Sequence, residues 1–295
     1  LSNEMKGWPK FDADNILYFE IVLMLLFLSM NATDLILQER NFEGYNKAGS
    51  FPVSSLMVPL FDSFTTSTVY VFERVFWWLH IIGIFFFLNY LYYSKHLHIL
   101  LAFPNTYFAN LESKGKFGIL ESVRNEVLLM FYPEKASESN GEIDKFGASD
   151  VLDLNWVQLM NAYSCTECGR CTSECPANLT GKKLSPRKIM MDTRDRLEKV
   201  SKNITINKGK FIDDGDRLLD NYISKEELWA CTSCNACVEA CPINIDPLSI
   251  IMDMRQFLIM EESSAHPDLN NMMNNIENNG APWPFNQQDR TNWIN

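Results

Sequence analysis

No cysteine occurs before residue 165 or after residue 241, and the whole chain has only four histidines. Eight cysteines among 295 residues could close four disulfides, but all eight fall in two short runs. Disulfide frameworks spread their cysteines over a fold, whereas metal sites cluster them. Free thiols in a reducing compartment are therefore expected. An excess of positive charge is also missing. The formal net charge is -11, which argues against a general nucleic-acid surface. There is no glycine-rich dinucleotide fingerprint, no P-loop and no persuasive nucleophile–base pair. The first residues, LSNEMKGWPKFDADN, lack the basic, apolar and small-residue regions of an ordinary signal peptide. A start at Leu1 leads us to expect upstream residues.

Long apolar runs occupy the first third. Residues 16–37, ILYFEIVLMLLFLSMNATDLIL, are long enough to span a bilayer as a helix, although Glu20, Asn31 and Asp34 interrupt them. The competing reading is an interfacial helix or one packed against other subunits. Residues 75–93, VFWWLHIIGIFFFLNYLYY, contain no Asp, Glu, Lys or Arg. Trp77 and Trp78 at one end and Tyr90, Tyr92 and Tyr93 at the other suit interfacial aromatic belts. Between the two runs, SFPVSSLMVPLF is apolar but too short and proline-broken to span; it is expected at the membrane surface or over a partner helix. Lys95, Lys114, Lys116 and Arg124 follow the second run, against Arg40 and Lys47 before it. This bias puts the C-terminal side in the cytoplasm, facing inward from the cytoplasmic membrane.

The remainder is polar, acidic and mostly helical in pattern. YPEKASESNGEIDKFG reads as a surface linker. Ser185 and Pro186 start one helix, Ser224 with Glu227 starts another, and DPLSIIMDMRQFLIMEES repeats the proline-then-helix arrangement. The fold class expected is mainly α, with transmembrane helices followed by an α-helical dicluster ferredoxin-like domain. Residues 1–98 form the membrane module and 99–149 a linker and peripheral segment. Residues 150–262 form the dicluster domain, and 263–295 an asparagine-rich tail. In that tail Trp283, Phe285 and Trp293 either dock on a partner or pack back on their own domain.

The first run is Cys165-x2-Cys168-x2-Cys171-x3-Cys175-Pro176 and the second Cys231-x2-Cys234-x2-Cys237-x3-Cys241-Pro242. This doubled spacing is the signature of bacterial ferredoxins with two 4Fe–4S clusters, in which the last cysteine of each run ligates the other cluster. Cys165, Cys168, Cys171 and Cys241 are assigned to one cluster, and Cys231, Cys234, Cys237 and Cys175 to the other. Four-cysteine zinc sites explain separate CxxC pairs well, but two complete runs each followed by proline poorly. With every iron corner taken by a thiolate, single-electron relay is favoured over substrate chemistry. Ser164, Thr166, Gly169, Thr232 and Ser233 either let backbone amides approach the sulfurs and tune potential or simply fit the turns.

His80 lies inside the second apolar run, and His98 follows five helical turns later, so both would share a face if the helix continued. Their axial separation would be about 27 Å, suited to one ligand near each side of a bilayer; His96 lies far around the helix. The alternative is that His80 bonds across helices while His96 and His98 sit at headgroup level.

The segment HIIGIFFFLNYLYYSKHLH resembles the dihaem cytochrome b subunit of respiratory nitrate reductases, in which two histidines at this spacing ligate two b haems. His80 and His98 match those positions. CTECGRCTSECPA and CTSCNACVEACPI resemble the iron–sulfur domain of heterodisulfide-reductase-related proteins. Together they imply a membrane-anchored iron–sulfur oxidoreductase. Two departures qualify the resemblance. The first apolar run has no histidine, so additional haem ligands lie upstream or in another subunit, or no haem binds. The cysteine-rich CCG domain that carries substrate chemistry is missing, so a CCG-domain or flavin-containing redox subunit is the expected partner. The resemblance implies an electron-transfer subunit, not itself catalytic, that relays electrons between a cytoplasmic partner and b haem or quinone. The competing functions are a thiol/disulfide reductase component with a catalytic cluster and a structural subunit of a respiratory assembly.

Overall fold

The computed structural model describes residues 6–113, 116, 118, 121–134 and 145–294. The starting residues 1–5, Lys114 and the linker stretch 135–144 lie outside the described residues. The chain divides into two compact units, residues 1–100 and 101–295. Among the described residues the structure is helical, with a single isolated bridge between Leu219 and Ile223 in place of a sheet.

The first unit is built on two long helices, α1 (Trp8–Glu39) and α3 (Thr66–Leu91), packed against each other. Pro9 in the first turn of α1 costs no hydrogen bond there, and Thr65 caps α3 by accepting from the Thr68 amide. The helices approach closely at Gly83, where a Cβ would fall 2.6 Å from Leu23 Cδ2. Nearby, Phe19 stacks on Phe86 with ring centroids 5.3 Å apart. Buried Asp12 ties one end together, accepting from Tyr90 Oη at 2.6 Å and from the Lys95 amide at 3.0 Å. At the other end Arg40 donates to the Asp62 and Phe64 carbonyls at 2.7 and 2.9 Å. The apolar connection forms a 3-10 turn (Ser54–Met57) and the short α2 (Val58–Phe61), which cover the chain's own α1. Both long helices are long and apolar enough to cross a membrane by length and composition. Of the polar interruptions in the first run, Asn31 is buried and Glu20 is exposed.

Helix α3 ends at Leu91; a turn and a 3-10 segment (Lys95–Leu97) precede α4 (His98–Tyr107). The helix therefore does not continue from His80 to His98, and the condition for a shared face is not met.

The second unit holds most of the core. After α5 (Glu121–Phe131) come α6 (Trp156–Ser164), α7 (Arg170–Ser173), α8 (Pro176–Leu179) and α9 (Pro186–Ile206). They are followed by α10 (Lys225–Ala230), α11 (Ala236–Glu239), α12 (Pro247–Met260) and α13 (Pro267–Asn279). Helix α9 runs through the middle, packed on α6, α7 and α12, with α10 and α11 also against α12. Ile189, Met190 and Val200 of α9 meet Ile250, Ile251, Met254 and Leu258 of α12 in one apolar cluster, with Leu218, Leu219 and Ile223 beside them. In α12 the steps of three and four residues from Ile251 to Met254 to Leu258 place these side chains on one helix face. Gly147 (φ 78°) lets the entering chain lie against α12, since a Cβ there would come within 2.3 Å of the Asp253 carbonyl oxygen. Helix α13 buries no side chain, and Trp283, Phe285 and Trp293 are exposed.

Candidate metal centre

The two cysteine runs are carried on two copies of one local structure. Helices α6 and α10 both begin with a capping box, Asn155 with Gln158 and Ser224 with Glu227. Both end by presenting the first cysteine, Cys165 or Cys231, as the residue past the last turn. The next loop is shaped by two positive backbone angles at matched places: Glu167 (60°) and Ser233 (55°), then Gly169 (82°) and Asn235 (61°). This left-handed geometry turns amides inward. The Glu167 and Ser233 N–H groups donate to Cys165 Sγ and Cys231 Sγ, each at 3.4 Å. The short helices α7 and α11 then carry Cys171 and Cys237, and a cysteine–proline pair follows each. In both copies the middle cysteine, Cys168 or Cys234, is the exposed one.

Helices α7 and α11 pack together, which joins the copies. Cys171 is electrostatically coupled to Cys168 and Cys241, and Cys231 to Cys175 and Cys234. The last cysteine of each run is thus within electrostatic reach of a thiol of the other run. Cys237 is coupled to Cys231 and also to Cys171, so the two groups of thiols are neighbours. All eight cysteines are free. Burial pushes the thiols of Cys165 and Cys237 up to about 12 and that of Cys171 up to about 11. Metal-free thiols here hold their protons, and iron binding must release them. Among the described residues no three of His, Cys, Asp or Glu converge on one ion position; thiolates of a four-iron cube bind separate irons and need no such convergence. The donor set fits iron–sulfur chemistry in one further respect. Ser164 Oγ, fully buried next to Cys165, has no hydrogen-bond partner among the described residues and can donate toward sulfur.

Each loop is also held by an arginine from the helix that follows it. Arg194 on α9 pairs with Glu167 at 2.6 Å. Arg255 on α12 donates to the carbonyls of Leu228 and Cys231 at 2.6 and 2.5 Å and to Ser233 Oγ at 3.2 Å. Both stand at the same distance along the chain from the proline that starts their helix, Pro186 or Pro247. Sequence reasoning did not single them out. The signal was the repeated Pro-to-Arg spacing after each cysteine run.

The histidines lie in other surroundings. His80 Nδ1 is 3.0 Å from the Leu23 carbonyl oxygen of α1, an inter-helix contact, and His98 Nδ1 is 2.6 Å from the Lys95 carbonyl oxygen. The His96 and His98 rings stand edge to face, 5.8 Å apart. Helix α1 contains no histidine, so a bis-histidine haem pocket between α1 and α3 cannot be made from this chain's own residues, and no electron step is derived through a haem.

Comparison with known proteins points to the same loops. The 4Fe-4S dicluster domain family matches residues 164–245. The chain is 29% identical to the probable iron-sulfur-binding oxidoreductase FadF of Bacillus subtilis, over 96% of this chain and 41% of that protein. It is 26% identical to the EtfAB:quinone oxidoreductase of Syntrophomonas wolfei, over 85% of this chain and 35% of that protein. An iron-sulfur subunit of the CoB–CoM heterodisulfide reductase of Methanocaldococcus jannaschii is 28% identical, over 42% of this chain and 57% of its own length. The chain thus spans about two-fifths or less of the first two relatives. No solved structure matches. The cysteine-bearing part thus matches a 4Fe-4S dicluster domain and is similar to heterodisulfide-reductase-type iron–sulfur subunits.

Proposed function

We propose that this chain is the electron-relaying part of a membrane-bound oxidoreductase. In this reading Cys165, Cys168, Cys171 and Cys241 hold one 4Fe–4S cluster, and Cys231, Cys234, Cys237 and Cys175 the other. The observation that supports it is that the last cysteine of each run is within electrostatic reach of the other run, Cys241 of Cys171 and Cys175 of Cys231. When bound, such clusters supply one-electron carriers. The chain's own contribution is to hold the thiolates, to aim the Glu167 and Ser233 amides at sulfur, and to bury the sites while leaving Cys168 and Cys234 at the surface. Four thiolates per cluster leave no position for a substrate. Terminal chemistry then belongs to a partner, a CCG-domain or flavin-containing subunit on one side and a quinone on the other.

Residues 1–98 serve as the membrane anchor in this reading, with residues 150–262 in the cytoplasm. Many apolar side chains of α1 and α3, among them Leu17, Ile21, Leu25, Phe85 and Leu88, face outward and suit lipid. A b haem bound at His80 or His98 would need ligands from outside this chain. Redox-poised EPR with iron and sulfide analysis of the membrane-extracted full protein tests the relay. Two reducible 4Fe–4S signals are expected, and zinc or a single cluster would sink the assignment.

A further inference from the structure

The two loops repeat each other closely, which makes their differences informative. Glu167 and Ser233 occupy the same place, two residues after the first cysteine, with positive φ and an amide aimed at that cysteine's sulfur. Each faces the repeat-related arginine of the following helix. In the first loop the Arg194 guanidinium meets the carboxylate of Glu167, which is 3% exposed, at 2.6 Å and the exposed Asp195 carboxylate at 3.6 Å. In the second, Arg255 meets neutral groups: two carbonyls, a hydroxyl and, 5.1 Å away, the face of the Trp229 ring. Among the described residues no carboxylate forms an ion pair with Arg255. A guanidinium stays protonated at any working pH. It lies electrostatically close to Cys231, as Arg194 does to Cys165.

We propose that the residue at this repeat position sets apart the reduction potentials of the two sites, by deciding whether a buried carboxylate is paired with the half-buried arginine facing it. Reduction adds negative charge, so an uncompensated cation nearby favours it and a nearby carboxylate opposes it. Glu167 lowers the potential of the site built on the first loop, and Arg255, with Ser233 before it, raises that of the second. Other charges lie near both loops: Arg187 approaches Gly169 and Asp195 pairs with Arg194 in the first, and Asp246 lies electrostatically close to Cys237 in the second. None of these is altered in the variants below, so shifts on substitution isolate the Glu167/Ser233 position and the arginine facing it. The inference rests on the cluster assignment proposed above.

The test is EPR-monitored redox titration of the full chain with both clusters assembled. Glu167→Gln keeps a hydrogen-bond acceptor for Arg194 and removes the charge; it should raise the midpoint of one cluster signal. Arg255→Gln should lower the midpoint of the other. Each shift should reach about tenfold in the reduction equilibrium, about 59 mV for one electron. Ser233→Glu should move the second signal in the same direction as Arg255→Gln. Arg255→Lys keeps the charge but loses the forked grip, so its midpoint should stay near wild type even where the loop is less stable, which separates charge from packing. Unmoved midpoints with both clusters retained, or both shifts falling on one signal, overturn the inference. Wild-type protein without two clusters overturns the relay reading itself, an outcome the same preparation reports before any variant is made.

Discussion

Arg196 shows how much a single side chain can hold in place. Its side chain is 0% exposed, yet the guanidinium reaches Asp150 at 2.6 Å, Asp214 at 2.7 Å and the Asp216 carbonyl oxygen at 2.5 Å. Asp150 in turn accepts from the amides of Val151 and Leu218, so one charged group joins three segments distant in sequence. Arg196→Ala leaves two carboxylates without their counter-charge and is expected to cost about 3 kcal/mol in urea unfolding. The same pairing has a pH signature. Its hydrogen bond to Arg196 holds the Asp214 carboxyl at about 2, below the ordinary 3.8. The folded state thus binds fewer protons there than the unfolded chain. The contribution is complete above the ordinary value and disappears as pH falls toward 2. The stability lead of wild type over Asp214→Asn should therefore shrink between pH 4 and 2. Of the residues that build the site, the cysteines were legible because ligand spacing is a local property. Arg194, Arg196 and Arg255 were not, because a charged residue on an amphipathic helix reads as solvent-facing until partners from distant segments are known.

At the scale of the helix, start signals were the most readable feature. Ser185 with Pro186, Ser224 with Glu227, and Pro247 all begin helices where the residues placed them. In α10 the box is complete: Ser224 Oγ accepts from the Glu227 amide at 3.3 Å and Glu227 Oε2 accepts from the Ser224 amide at 2.9 Å. Ser224→Ala should cost about 1 kcal/mol, measured by denaturant unfolding, because α10 is only six residues long and delivers Cys231. Helices α4, α5 and α13 were not foreseen. Helix α13 is rich in asparagine, a poor helix former, and draws its start from His266, whose ring accepts from the Asp268 amide. Where α3 would stop was equally hidden, since apolar character continues past Leu91 while the backbone turns at residues 92–94. The five-turn register between His80 and His98 failed at that turn. Both long apolar helices were found and their ends met within about two residues. Helices α1 and α3 begin at Trp8 and Thr66, well before the runs at 16 and 75, because polar residues in their first turns break the apolar signal.

Across the whole molecule, each unit has its own way of holding together. The first relies on two long helices and polar ties at their ends. The second relies on an apolar cluster around α9 and α12, from whose edge the cysteine loops extend. Those loops adopt left-handed angles at Glu167, Ser233 and Asn235, which non-glycine residues enter at a cost. Metal ligation would offset that cost. Stripping iron with a chelator under reducing conditions should therefore lower the melting temperature of the full chain and increase amide exchange at residues 165–175 and 231–241. A protein that melts unchanged after iron loss would show that the loops are held without it. The proposed exchange of last cysteines also has a consequence for timing. During synthesis the first loop leaves the ribosome with its own three thiols but without Cys241, which is translated only after α9 and α10. Under the proposed assignment neither site could be completed on a nascent chain that stops short of the second run, so a truncated product would be left with free thiols and no finished centre.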